Sequence, residues 1–486
     1  MKNKSKKEIF LVKNSLIIIL HLVVSLVSTY YIYNVGILPT KYLVIVLAFI
    51  WTMFTIFAFS IHKSKGKVNG TFKIISLLLT LLLLLGSVYV MKGNKLLNLV
   101  TGADIDTHVI SIIVSKDSSV NSLEELSGQL IGVNTTLDKN DVEKGVNLFK
   151  KDKNFDVLVD EYTSYENLNN DLLNAELPAI MISESHRGLI QEINPTFDEE
   201  TRVIGYVSYQ VESKVSSSDV NVMEDTYSIF LTGIDTYGPV STVSRSDVNM
   251  IITVNPKENQ ILLTSIPRDY FVELGTIGQM DKLTHAGIYG VGESVSTLEK
   301  LLDMKIDFYL KVNFSSVEEI VDSIGGVEVY SKNSFTTRHQ PKVQINQGMN
   351  SLNGAESLAF VRERYALPDG DNGRVQNQQE LIVGMINKAS SPAVLVNFDS
   401  IVSSVGDSMQ LSMSDKQLKS IIRAQVNSGA SWDVQKYQLV GTGSSSSTTY
   451  SMPGWNLYVM EPDVDSVVGA KNLISDMEKG NRISVN

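Results

Sequence analysis

The chain has 486 residues, too many for a single small binding module, with 43% apolar and 20% charged side chains and a formal net charge of −11. It contains no cysteine, which excludes a thiol nucleophile and a cysteine metal site. The charge averages two unlike parts: residues 1–97 hold twelve lysines against the single acid Glu8, net +11, while the remaining 389 residues sum to −22 and so lack the basic face that specific nucleic-acid binding needs.

Three apolar runs with no acid, lysine or arginine inside them, 15–33, 42–61 and 74–91, match the roughly 20 residues that cross a hydrocarbon core. They predict three transmembrane helices in a membrane domain over 1–97. No small-residue cleavage site follows the first run, so it is read as an anchor and not a removable signal peptide. Lys2, Lys4, Lys6, Lys7 and Lys13 precede the first run, and Lys63, Lys65, Lys67 and Lys73 lie between the second and third. The loop between the first two holds only Lys41. Lysine excess marks the cytoplasmic side, so the expectation is a multi-pass cell-membrane protein with a cytoplasmic N-terminus and residues from about 92 onward outside. His21 falls inside the first span with no acid to partner it, and reads as structural.

From Thr107 to about Ser213, short β-rich runs (VISIIV, LIGV, DVLVDEY, PAIMIS) alternate with helical patterns, which predicts an extracellular α/β accessory domain over 98–215. Its segment VSKDSSVNSLEELSGQLIGVNT loosely resembles the start of a solute-binding-protein lobe, and no catalytic constellation appears in it. The polar, Ser-rich stretch 212–225 reads as a linker, and a second α/β domain is expected over 226–486. The Ser444–Ser447 tract reads as a low-complexity surface loop.

The second domain concentrates arginine: ten arginines stand against 32 lysines in the whole chain, yet 6 against 7 between Arg245 and Arg374. Arginine binds phosphate or carboxylate through a planar fork and stays charged when partly buried. The runs VNMIITV (248–254) and ILLTSIP (261–267) about the turn NPKENQ read as a hairpin. With symmetric register, positions summing to 515 are opposed, so Asp247 faces Arg268 as an exposed strand-end carboxylate. The strand YSIFLTGI ends at Asp235, and Arg245 stands two residues before Asp247. Two carboxylates among arginines suit a hard divalent cation bridging phosphate oxygens; a set of strand-end ion pairs is the other reading of the same residues.

The segment FVRERYALPDGDNGRVQNQQELIVGMI favours phosphate. Arg362 and Arg364 share a face if the segment is extended. Asp371 reads as the N-cap of a helix on which Arg374 and Gln378 lie one turn apart, giving an arginine and an amide at a helix N-terminus. For Asp371 capping alone is the favoured reading and a direct chemical role the other. Ser315 to Glu318 reads as a capping box, with Gly325–Gly326 ending that helix, and His285 reads as structural.

The order GID, SRSD, SIPRD, KLTHAG, IGGV, LAFVRERY and the GRVQNQQ helix resembles the LytR-CpsA-Psr family over 226–390, and three spans with an extra extracellular domain resemble its capsule-associated CpsA type. The resemblance implies an α/β catalytic domain, a central mixed sheet flanked by helices, that transfers a glycan from undecaprenyl pyrophosphate to peptidoglycan through a phosphodiester. It implies a lipid in an apolar tunnel under the sheet and Mg²⁺ (or Mn²⁺) on Asp235 and Asp247. Arg245, Arg268, Arg362, Arg364 and Gln378 would hold pyrophosphate, and Arg374 with Asp371 would belong to the reaction centre. Lipid-linked polysaccharide, peptidoglycan, membrane lipid and capsule assembly proteins are the partners it suggests. A membrane-bound regulator of capsule genes and a polyprenyl pyrophosphatase are the alternatives. The first meets the objection that about 14 cytoplasmic residues and one short loop cannot fold alone.

Overall fold

A computed structural model describes residues 13–101, 105–213, 215, 218–234, 239–391 and 409–485. Three helices, α1 (Asn14–Val35), α2 (Thr40–Lys63) and α3 (Gly66–Val100), are long and apolar enough to cross a membrane. Gly36, in the left-handed region at φ 68°, ends α1, a conformation glycine adopts without a Cβ clash. The third helix starts earlier than the apolar pattern predicts, so Lys67 and Lys73 lie in its first turns and not in a loop. His21 is buried in the bundle, with Nδ1 2.9 Å from Ser76 Oγ and Phe54 edge-on to its ring, in keeping with the structural reading.

The next unit is a five-stranded sheet in the order β3-β2-β4-β1-β5. Its strands are β1 (Ile105–Ser115), β2 (Leu130–Asn134), β3 (Leu158–Tyr162), β4 (Ile180–Ser183) and β5 (Thr201–Glu212). Helices α4 (Lys139–Lys153), α5 (Tyr165–Leu173) and α6 (Arg187–Ile193) connect them. The central strand β1 reads as a nearly continuous apolar run because both faces are covered: Ile110 and Ile112 pack with Phe149 of α4, and Ile113 with Leu168 of α5.

The stretch expected to be a linker is packed down where it is described. Val222 is buried among apolar residues of the second sheet, Ser218 Oγ donates to Asp307 at 2.8 Å, and Gln417 Nε2 donates to Ser218 O at 2.8 Å. Ser218 is spent on a neighbouring carboxylate, which a composition reading cannot show.

The second sheet is mixed, in the order β12-β9-β6-β7-β8-β13. Its strands are β6 (Tyr227–Ile234), β7 (Val248–Asn255), β8 (Gln260–Ile266), β9 (Phe308–Asn313), β12 (Met409–Leu411) and β13 (Asp433–Gln438). A two-stranded pair, β10 (Val327–Ser331) and β11 (Gly348–Leu352), lies apart from it. Period-two alternation sorts the side chains: Ile251 and Leu262 face α7 (Val291–Leu302) and the C-terminal helix 464–478. Met250, Val254 and Leu263 face the opposite side, toward α8 (Phe314–Ser323), α10 (Asp371–Ala389) and α11 (Asp415–Ser428). The capping box of α8 is formed by Asn313 and Ser316, two residues earlier than Ser315–Glu318, and Gly325 and Gly326 follow it in left-handed conformations. The Ser444–Ser447 tract is no free loop: 441–446 pairs antiparallel with 457–462, so neighbouring strand geometry overrides composition.

The unit built on the second sheet also touches the three apolar helices. Arg423 of α11 donates through Nε to Gly36 O at 2.8 Å, Lys41 Nζ to Asn427 O at 3.3 Å, and Ile37 packs on Leu418 and Ile422. The α1–α2 loop and both sheet domains therefore lie on one side of the helix bundle.

Candidate active site

The hairpin forms in the register that the turn dictates, Asn249 opposite Ile266. Two residues beyond the ladder Arg268 Nη1 donates to Asp247 Oδ1 at 2.6 Å, and Arg245 Nε stands 3.4 Å from the same carboxylate. Asp247 is not an exposed strand end: its side chain is only 9% accessible. Burial alone would push its carboxyl up, but Arg245 and Arg268, with Arg374 beyond them, hold it below the usual carboxylate range. Arg268 is in turn held above its ordinary value by Asp247 and Asp269 against the opposing effect of burial. Asp235 lies outside the described residues; β6 ends one residue before it.

Arg362 and Arg364 do not share a strand. A capping box of Asn353 and Glu356 starts helix α9 (Gly354–Arg362), so Arg362 is its last residue and Arg364 belongs to the loop after it. The buried Glu363 carboxylate fixes that loop by accepting from the amides of Arg338 and Ala366. Arg364 lies over the Tyr365 ring at 4.5 Å.

Asp371 is not the N-cap. Gly370, at φ 54°, takes that position, and Asp371 is the first helical residue, with its carboxylate 2.8 Å from Arg374 Nη2. A left-handed residue is needed where the chain turns into α10, and glycine supplies it one place before the acid. Arg374 and Gln378 do lie on one face. Burial draws the Arg374 guanidinium below its ordinary value, opposed by Asp371 and reinforced by Arg268 and Arg364.

These residues enclose a cavity of about 250 Å³, lined by Asp247, Arg268, Arg362, Arg364, Arg374 and Gln378 together with His339, Val361 and Tyr365. Four guanidinium groups thus face one carboxylate, and the Nε atoms of Arg268 and Arg374 are buried without a hydrogen bond. Arg268 Nε faces the Asp269 carboxylate at 3.6 Å, so it is the accessible remainder of the four guanidinium groups that offers charge-assisted donors to an anion in the cavity. Arg245 is not on this wall; it stands behind Asp247. His339 and Tyr365 are wall residues the sequence reading missed, and neither carries a local motif that would have found them.

A second cavity, about 550 Å³, lies under the sheet between β6, β7, β9, β12 and helices α8, α10 and α11. Its walls are almost wholly apolar, including Met250, Ile252, Ile320, Ile382, Ile386 and Leu418. It shares Val361 and Gln378 with the arginine cavity. A charged anion site thus adjoins an apolar chamber, the two halves of an amphiphile-binding site.

Among the described residues no group of three or more His, Cys, Asp or Glu forms a metal cage. Asp247 nonetheless offers an ionised oxygen donor on the cavity wall, and Mg²⁺ characteristically uses one or two carboxylates with the rest of its shell from phosphate and water.

The sequence model of the LytR_cpsA_psr family matches residues 199–462, more than half of the chain, and the protein belongs to that family. It is 33% identical over 240 residues to the polyisoprenyl-teichoic acid–peptidoglycan teichoic acid transferase TagU of Enterococcus faecalis, covering 49% of this chain and 77% of the relative. It is 36% identical over 209 residues to the protein of the same name from Bacillus cereus, covering 43% of this chain and 65% of that one. Among solved structures it is similar to TagT bound to LIIa-WTA, with 27% identity, TM-score 0.43 and coverage of 54% of this chain and 94% of that one. It is also similar to gbs0355 from Streptococcus agalactiae, with 26% identity, TM-score 0.45 and coverage of 55% and 93%. The model of a DNA polymerase processivity factor matches residues 64–182, under half of the chain, and runs from the third apolar helix into the first sheet.

Proposed function

We propose that the protein transfers a capsular glycan phosphate from a polyprenyl pyrophosphate carrier to a peptidoglycan hydroxyl, outside the membrane that its three helices span. The observation that carries this reading is the junction at Val361 and Gln378, where a cavity with four arginines meets an apolar one. A lipid pyrophosphate is an anion on an apolar chain, and both parts find a complementary wall. The teichoic acid transferases it resembles are named for the same kind of donor and acceptor. The three-span arrangement with an accessory domain supports capsular polysaccharide as the glycan, and the lysine distribution supports an outward-facing site.

In the reaction an acceptor hydroxyl oxygen attacks the phosphorus attached to the glycan. The bond from that phosphorus to the bridging oxygen breaks, polyprenyl phosphate leaves, and the hydroxyl proton passes to water. Such transfer depends on neutralising charge and aligning groups more than on covalent help from the protein. Arg268, Arg362, Arg364 and Gln378 are positioned to hold the pyrophosphate, and Arg374, braced by Asp371, to meet charge that develops on the transferring phosphoryl group. Mg²⁺ held by Asp247 and Asp235 would supply further charge neutralisation when bound. The expected result of incubating the full chain in lipid nanodiscs with a glycan-linked polyprenyl pyrophosphate and peptidoglycan is a covalent glycan–peptidoglycan product and one polyprenyl phosphate per transfer. Lipid phosphate release with the glycan phosphate left free in solution would instead make the protein a pyrophosphatase.

A further inference from the structure

The accessory domain reaches the back of the arginine cavity. The segment between β6 and β7 carries Arg245 and leads into Asp247, and strand β1 holds it by two backbone bonds: Thr107 N to Ser241 O and Val243 N to Thr107 O, each 2.9 Å. Helix α6 reaches Arg245 itself, whose Nη1 donates to Gly188 O at 3.2 Å. The approach is so close that a Cβ on Gly188 would lie 2.5 Å from Arg245 Cδ and 3.2 Å from its Nε. One turn further along α6, Glu192 is 3.0 Å from Lys282 Nζ, which is buried and also 2.8 Å from Asp269, the neighbour of Arg268. Both arginines that pair with Asp247 are therefore tied to a domain that contributes nothing to the cavity wall, Arg245 directly and Arg268 through the relay Glu192–Lys282–Asp269, whose last carboxylate is 3.6 Å from Arg268 Nε.

We propose that the accessory domain sets the geometry of the catalytic site, with Gly188 as the positioning residue that fixes Arg245 behind Asp247. The glycine lets the helix backbone come within hydrogen-bond reach of the guanidinium, and its carbonyl and the Asp247 carboxylate hold the two ends of that group. Arg245 then holds Asp247 from behind while Arg268 holds it from the side. This rests on the reading of Asp247 and the arginine cavity as the phosphate end of a transferase.

The test uses the full chain in nanodiscs and follows polyprenyl phosphate released from a glycan-linked polyprenyl pyrophosphate in the presence of peptidoglycan. Three variants are compared: Gly188→Ala, Arg245→Ala and both together. Gly188→Ala is expected to lower kcat about tenfold with little change in KM for the lipid, since the lipid's own contacts lie elsewhere. Adding it to Arg245→Ala should cost nothing more, because the side chain it displaces is already gone. If Arg245→Ala lowers turnover while Gly188→Ala does not, or if the two losses multiply, the positioning role is wrong and the transferase reading stands. If Arg245→Ala turns over like the parent, the site reading around Asp247 fails and takes this inference with it. Should Gly188→Ala not fold, the double variant must recover folding, because the clash has been removed; failure of both to fold overturns the proposal.

Discussion

Replacing Asp247 by alanine removes the one carboxylate among four guanidinium groups on the cavity wall, and the structure sets the size of the effect. Arg268 closes on it at 2.6 Å and Arg245 at 3.4 Å, at a side chain 9% accessible, so the change breaks a buried ion pair and leaves two cations facing each other. Such a loss costs about 3–5 kcal/mol. Asp247→Asn keeps an acceptor for Arg268 and drops only the charge, and should cost about 1.5–3 kcal/mol, the worth of a charge-assisted hydrogen bond. Urea unfolding of the full chain in detergent, followed by the fluorescence of Trp432 against the apolar face of the sheet, measures both. Inorganic pyrophosphate adds a second reading. With a chelator present and at one fixed concentration it should stabilise Asp247→Ala more than the parent, because it replaces the missing negative charge; the variant gains ~2.7 kcal/mol where that concentration is a hundred times the variant's own Kd. With Mg²⁺ added the order should reverse, since only the parent keeps that carboxylate for the metal. An alanine variant within about 0.5 kcal/mol of the parent would refute the buried-pair argument. Equal stabilisation of both proteins in every buffer would refute the metal assignment.

Arg374→Ala should lower turnover at saturating lipid far more than it weakens lipid binding, whereas Gln378→Ala, at the junction of the two cavities, should chiefly weaken binding; equal affinity losses with unchanged turnover would leave Arg374 an ordinary binding residue. Lys311 is buried, its Nζ donating to Thr242 O, and burial, only partly offset by Asp106, pushes its ammonium down to about 8 from 10.5. Below pH 8 the folded and unfolded chains both carry the proton and the fold bears the whole cost of the buried charge. Between 8 and 10.5 only the unfolded chain holds it, so stability should rise with pH across that window by up to roughly 3 kcal/mol, an increment that Lys311→Met abolishes. Because the chain has no cysteine, Lys139→Cys on the exposed face of α4 should react with an impermeant maleimide in intact cells and Lys65→Cys only after permeabilisation; the opposite pattern would invert the topology.

What the sequence disclosed follows from periodicity. The apolar runs, the alternation in β7 and β8 and the symmetric turn between them are local, and so were the pairing of Asp247 with Arg268 and the shared face of Arg374 and Gln378. Where one residue's backbone angle or a tertiary partner decides, the reading slipped. Arg362 ends a helix because Asn353 and Glu356 cap its start nine residues earlier. Asp371 falls inside α10 because Gly370 accepts φ 54°. Asp247 is covered by Arg245 and Arg268, and nothing in the spacing of Gly188 or Glu192 announces that the first reaches Arg245 and the second Lys282 from another domain.

Helix α10 contributes Arg374 and Gln378 to the charged cavity and Gln378, Leu381, Ile382, Met385, Ile386 and Ala389 to the apolar one. From Arg374 to Ala389 the rise is about 22 Å along one rigid element. Such a helix works as a ruler: once a headgroup is seated at its first turn, the distance to every contact along the tail is already fixed. A carrier with a shortened tail would therefore lose not only apolar area but the alignment of its phosphorus, whereas lengthening the tail beyond Ala389 would go unread, so selectivity among carriers should rest on their first isoprene units and saturate thereafter.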